Sequence, residues 1–132
     1  MEKDLTKEMR NRRERGYNTE RALVKILKNK GYKAVRIPVS NTSLNPLPDV
    51  FASKKGDVYA FEVKSAKRYT YTPQRQIEKL FKFLTMIPIP LQQKHAILVG
   101  HFGKTWKFKE ITEPLREDKV RLVKTDQGNW NP

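Results

Sequence analysis

A single hairpin constrains this chain more than any other feature. Val50-Phe51-Ala52-Ser53 and the run from Val58 to Ser65 are β-prone segments joined by Lys54-Lys55-Gly56-Asp57, where Gly56 supplies the positive φ of a tight turn. Centring the turn on Lys55 and Gly56 sets Ser53 opposite Val58, Phe51 opposite Ala60 and Asp49 opposite Glu62. Opposed residues share a sheet face with Cβ atoms about 4.5–5.5 Å apart, so this register places two carboxylates side by side. Lys64 faces the same way as Glu62, while Val50, Ala52, Tyr59, Phe61 and Val63 take the other face and pack a core. A slip of one residue would destroy the pairing.

Two carboxylates at that distance repel each other unless a cation lies between them. From Tyr32 to Lys109 the chain has fourteen Lys or Arg and only four Asp or Glu, and Asp49 and Glu62 are two of the four. The net charge of +14 asks for a polyanionic partner, and nucleic acid comes first. An acidic membrane surface is second, but no long basic helix with bulky apolar anchors is present, and no apolar run approaches the roughly 20 residues of a membrane span. A ribosomal or chromatin-type structural protein satisfies the charge equally well. The chain has no cysteine, which removes disulfide frameworks, thiolate zinc sites and cysteine nucleophiles. With a charged rather than leader-like N-terminus, it reads as a soluble, cytoplasmic protein.

At 132 residues the chain is expected to build one main domain, over residues 18–124, between a basic arm (1–17) and a polar tail (125–132). Asn18 or Thr19 caps a helix with Leu23, Ile26 and Leu27 on one face and Asn29-Lys30-Gly31 as its stop. Tyr32 to Val39 reads as a strand, and Ser40 to Pro48 as a loop. The segment from Thr72 to Met86 is helical, with Pro73 in its first turn and Ile77, Leu80, Phe81 and Leu84 as its apolar face. Ala96 to Val99 and Trp106 to Ile111 read as strands around a turn at Gly103, with a further strand at Val120 to Val123. The core order is therefore α-β-β-β-α-β-β.

Asp49 and Glu62 offer hard oxygen ligands, which suit Mg2+ or Mn2+ held against a phosphate. Such an ion polarises a phosphoryl oxygen and acidifies a bound water, and Lys64 beside it either orients the attacking water or balances charge building on the phosphorus. Singly, an Asp after Pro in a turn and a Glu-Lys pair on a strand are ordinary surface features. Jointly, inside an apolar hairpin of a basic chain, they require a reason.

Pro48-Asp49 followed by Glu62-Val63-Lys64, in this order of elements, resembles the PD-(D/E)XK nuclease superfamily. More closely, the chain is similar to the archaeal Holliday junction resolvases of cells and archaeal viruses. That likeness covers Thr19-Glu20-Arg21, the run Ala34 to Ser40, Leu47 to Ala52, Phe61 to Ser65 and Gln76 to Leu80. It implies an α/β fold with a restriction-endonuclease-like mixed sheet flanked by helices, and an Mg2+-dependent homodimer, with Mn2+ as substitute, that cuts four-way DNA junctions in pairs. It also implies that Glu20, Asp49, Glu62 and the Val63 carbonyl hold the metal, that Lys64 is the catalytic lysine, and that Ser40 acts near the scissile phosphate. Without the likeness, Glu20 is an ordinary acid favoured by the macrodipole of a helix's first turn.

Arg36 resembles the family's basic residue beside the site and is the first choice for a phosphate contact. Further nucleic-acid candidates are Lys54, Lys55, Lys67, Arg68 and Arg75, together with Arg10, Arg12, Arg13 and Arg15 in the arm. Tyr69 and Tyr71 are expected to pack on the following helix rather than touch a base. His95 and His101 have no zinc or triad spacing and read as structural, Trp106 as core, and Trp130 as a tail residue. Phe81 and Phe83 mark a candidate dimer patch. Two other readings remain: a related nuclease acting on linear duplex or repair intermediates, and a basic DNA-architectural protein whose carboxylates are structural.

Overall fold

The computed structural model describes residues 2–38, 45–112 and 118–132, and for residues 2–15 it gives the helical backbone and the side chains of Lys7 and Arg10. The chain begins with one 28-residue helix, α1 (Glu2–Asn29), so the helix start expected at Asn18 or Thr19 is corrected. Glu, Lys, Arg and Met in the arm are good helix formers, and the single Gly16 costs only about 1 kcal/mol against them. Asn18 Oδ1 accepts from the Arg21 guanidinium (3.3 Å) instead of capping a helix N–H. The stop was legible. Gly31 takes φ +92°, and Tyr32 N–H reaches back to Leu27 C=O at 3.0 Å in a Schellman closure.

Strands β1 (Lys33–Arg36), β2 (Val50–Lys54) and β3 (Asp57–Ser65) follow, then β4 (Tyr69–Pro73), helix α2 (Gln74–Thr85), and strands β5 (Lys94–Phe102), β6 (Thr105–Ile111) and β7 (Lys119–Val123). Five strands form one mixed sheet in the order β1-β2-β3-β5-β6, in which only β3 and β5 run parallel. The hairpin register is as expected, with Ser53 opposite Val58 and Phe51 opposite Ala60.

Alternation then sorts the side chains between two cores. Val50, Ala52, Tyr59 and Phe61 pack with Leu23 and Leu27 of α1, while Ala60, Ala96 and Leu98 pack with Ile77, Leu80 and Leu84 of α2. The sheet is thus covered by one helix on each face, which buries both sides of its central strands.

Three expectations are corrected here. Tyr69 to Pro73 is a strand, and α2 begins only at Gln74. β4 pairs antiparallel with β7 as a separate ribbon, so Thr70 and Thr72 turn inward and Tyr69 and Tyr71 face solvent rather than α2. Trp130 is no tail ornament either: it packs against Tyr32, Tyr59, Phe61 and Phe108 at 5.4–6.3 Å between ring centroids. The tail is steered there by Gly128 (φ +70°) and by Asn129, whose side chain bonds both N–H and C=O of Glu110.

Candidate active site

β2 leaves its ladder at Asp49, and this departure builds the site. Asp49 C=O accepts from Ile37 N–H (2.9 Å) on the β1 side, and Asp49 N–H donates to Phe61 C=O (3.0 Å) on the other. Its carboxylate then takes the N–H that the next ladder bond would have used, with Val63 N–H donating to Asp49 Oδ2 at 2.9 Å. Asp49 therefore brackets Glu62, and its carboxyl group lies close to that of Glu62.

Electrostatics agree. Burial first, and then the negative charge of Asp49, push the Glu62 carboxyl up to about 8, against the pull of Lys64. Burial also raises Asp49, opposed by the Val63 N–H and by the charges of Lys64 and Arg36. Lys64 is thus placed beside both acids, as the alternation of β3 requires.

Glu20 approaches from α1 at the edge of its buried stripe. Its carboxyl is raised by burial and by Asp49, so it belongs to the same electrostatic cluster. Its Oε2, however, lies 2.7 Å from Arg36 Nε, and the Arg36 guanidinium also lies 4.2 Å over the Tyr17 ring. The structure thus joins Asp49, Glu62 and Lys64 directly and reaches Glu20 through Arg36. Among the described residues, no three His, Cys, Asp or Glu side chains already form a metal cage.

Two contributors escaped the sequence reading. Lys79 on α2 lowers the Glu62 pKa, so it too faces the site. Gln76, one turn earlier on that helix, has a buried Oε1 with no hydrogen-bond partner among the described residues. Spacing on α2 could have found both, since residues three apart share a face. Thr19 Oγ1 and Ser65 Oγ meet at 2.8 Å and pin α1 to the end of β3 just beyond Lys64.

The remaining candidates are scattered. Lys54 and Lys55 sit at the far end of the hairpin, and the Lys54 ammonium donates to Lys30 C=O (2.8 Å) over the Tyr32 ring, closing α1. Lys67 and Arg68 are exposed in the turn after β3, and Arg75 is exposed at the start of α2. Arg10 is exposed on α1; the side chains of Arg12, Arg13 and Arg15, and all of Ser40, lie outside the described residues.

A helix-flanked mixed sheet with a carboxylate pair and a lysine on its central hairpin is the restriction-endonuclease-like class of nuclease fold. Comparison with known proteins narrows the class: the model of the archaeal Holliday junction resolvase (Hjc) family matches residues 11–129, and the chain belongs to that family. It is 48% identical over 112 residues to crossover junction endodeoxyribonuclease Hje of Saccharolobus islandicus, covering 84% of this chain and 81% of that one. It is 43% identical over 111 residues to Hje of Sulfolobus acidocaldarius, covering 83% and 78%. The solved structure of Archaeoglobus fulgidus Hjc shares the fold, with TM-score 0.68 and 23% identity over 82% of this chain and 88% of that one.

Proposed function

We propose that this chain is a divalent-cation-dependent endodeoxyribonuclease that resolves four-way DNA junctions. The observation that supports this most is the buried Asp49–Glu62 pair, two neighbouring carboxyl groups that are costly to ionise together, in a chain of net charge +14. An all-oxygen pair of this kind fits a small hard cation, which would relieve the repulsion between the carboxylates. Asp49 and Glu62 would hold Mg2+ or Mn2+, with the Val63 carbonyl and Glu20 at its edge. When bound, such an ion supplies Lewis-acid polarisation of a phosphoryl oxygen and acidification of water.

The chain's own groups do the rest. Val63 N–H fixes the Asp49 carboxylate, and the Lys64 ammonium, whose charge acts on both acids, would balance negative charge growing on the phosphate. Arg36 holds Glu20 and is placed to trade that carboxylate for a DNA phosphate, a group of the same charge that also presents two acceptor oxygens. No covalent protein nucleophile is needed.

Paired cuts in a junction call for two such sites, hence a homodimer. The α2 face suits one, because Phe81 and Phe83 are only partly covered, Phe83 against Phe51, and Met86 beyond them is exposed. The test is a nicking assay on a four-way junction and on linear duplex of matching sequence, each with Mg2+, with Mn2+ and with chelator. Cation-dependent paired nicks confined to the junction are expected. Equal cutting of the duplex would point to a general nuclease, and no cutting of either would leave a DNA-architectural protein.

A further inference from the structure

The outward face of the β4–β7 ribbon is built for a ligand that the carboxylate site does not explain. Tyr69 and Tyr71 are 47% and 42% exposed, meet edge to face at 5.3 Å, and each carries a cation over its ring. Lys119 Nζ lies 4.4 Å from the Tyr71 centroid and Arg121 Cζ 5.2 Å from that of Tyr69. The inward face holds Thr70, Thr72, Val120 and Leu122, all buried, so the alternation that puts the aromatic and cationic residues outside is fixed by the core. A solvated edge needs charge but has no use for two exposed tyrosines under it.

Three further observations give this face a partner. Its charge is positive: Lys124 N–H bonds Arg68 C=O (2.8 Å), extending the ladder with two more exposed cations. Two acids lie near. Asp126 turns its Oδ2 back onto Val123 N–H (2.8 Å), and Asp118 is an exposed residue just before β7. Lys119 and Arg121 stand two residues apart on a strand, about 6.6 Å, which is a spacing suited to successive phosphates of one nucleic-acid strand. Finally, the ribbon continues β3 directly, since Lys64 is followed by Ser65, Ala66, Lys67 and Arg68 and then by Tyr69. The basic track therefore starts at the carboxylate site.

We propose that the β4–β7 ribbon is a second DNA-contact surface that grips the sugar-phosphate backbone of a substrate arm outside the cleavage site. Lys119 and Arg121 are the phosphate contacts, and the Tyr69 and Tyr71 rings hold them extended. This rests on the DNA-cleaving function proposed above and adds to it where a junction arm lies.

The test is equilibrium binding of a fluorescent four-way junction, in chelator so that nothing is cut, across a salt series. Lys119→Ala/Arg121→Ala is expected to weaken binding about tenfold near 0.1 M salt and to flatten the slope of log K against log salt by about 1.8, the share of two phosphate contacts. Lys25→Ala/Lys28→Ala removes the same charge from an exposed part of α1 and is expected to leave that slope unchanged. Tyr69→Thr/Tyr71→Thr keeps the strand and the charges, and should cost two- to threefold in affinity. Unaltered melting curves establish that each variant is folded, and Lys119→Gln/Arg121→Gln serves if the alanine pair is not.

Wild-type affinity and slope in the folded ribbon variant would overturn the inference, and so would an equal loss in the α1 variant. A wild-type protein that binds no DNA at all would instead overturn the functional proposal beneath it.

Discussion

Arg36 Nε stands 2.7 Å from Glu20 Oε2, and the two side chains are only 18% and 14% exposed. Glu20 comes from α1 and Arg36 from the end of β1, so the pair ties the helix to the sheet beside Asp49. Removing the cation leaves the Glu20 carboxylate against Asp49 with the weaker charge of Arg21 to relieve it. Arg36→Met should therefore destabilise the fold by about 1 kcal/mol, a figure kept small because the pair is partly solvated. It should also weaken junction binding, whereas Glu20→Gln should leave binding intact and lower cleavage. Melting curves and chelator-phase binding on both variants separate the two effects. Equal DNA affinity in Arg36→Met would remove this residue from the phosphate contacts.

Asp49 and Glu62 are expected to separate catalysis from binding and from folding. Asp49→Asn and Glu62→Gln keep the shape of the pair and abolish its charge, so junction cleavage should fall by at least about 10³-fold while affinity holds or improves. Neither should unfold the protein, and Glu62→Gln should raise the melting temperature in chelator because it removes a buried acid whose ionised form is disfavoured. Retained cleavage in either variant would show that the metal and the chemistry lie elsewhere.

The same pair sets a pH dependence. The folded-state value of Glu62, about 8, lies above its ordinary 4.5, so folding retains a proton that the unfolded chain releases. Its contribution is complete below about 4.5 and is lost as pH rises through about 8. Melting temperature in chelator should accordingly fall across that window. Saturating Mg2+ should reverse the fall, since a cation bound only by the folded state stabilises it by mass action. A flat profile in chelator, or one unchanged in Glu62→Gln, would contradict the buried, protonated pair.

The central hairpin was readable because everything that fixes it lies within about sixteen residues: a turn glycine, strict alternation and two acids that only one register brings together. Helix α2 was readable from Ile77, Leu80 and Leu84 on one face. The β4–β7 ribbon was not, because its partners lie about 50 residues apart and its inward positions include Thr70 and Thr72, which look like surface residues until Val120 and Leu122 cover them. Lys79 and Gln76 were passed over because a polar position on an amphipathic helix reads as solvent-facing. Glu20 entered through family likeness alone, and its pairing with Arg36 depends on where α1 crosses the sheet, a distance no local pattern encodes.

His95 was read as structural, and its role is more specific than that. Its ring stacks on Tyr59 (4.6 Å), with Nδ1 2.6 Å from Glu110 Oε2 and Nε2 2.9 Å from Asp57 Oδ2, so one side chain on β5 joins acids on β3 and β6. Burial works against its charge, but the two carboxylates prevail and the pKa lies above the ordinary 6.5. The stabilisation is full below 6.5 and is lost as pH rises through the raised folded value. His95→Gln should cost about 1–2 kcal/mol at pH 6, discounted for partial exposure, and nearly nothing well above the folded value. Denaturant titrations in a Glu62→Gln background isolate this window from that of the carboxylate pair, and a cost independent of pH would mean that His95 folds neutral.

Trp130 makes the C-terminal segment part of the fold. Its ring closes the α1-side core over Tyr32, Tyr59, Phe61 and Phe108, two of which, Tyr59 and Phe61, belong to β3, the strand that carries Glu62. Truncating a large, partly buried aromatic leaves a cavity and loses its edge-to-face contacts, so Trp130→Ala should cost about 2–4 kcal/mol. Gly128→Ala should act in the same direction without touching the ring. Its Cβ would stand 2.5 Å from Phe108 O, and the residue holds φ +70°, so the backbone that delivers Trp130 would have to move. Denaturant unfolding of both variants checks this. Because Phe61 is covered by Trp130 and is followed directly by Glu62, junction cleavage should fall in Trp130→Ala even where the protein remains folded, while Trp130→Phe, which refills most of the space, should recover both stability and activity. Wild-type stability in Trp130→Ala would return residues 125–132 to the status of a tail.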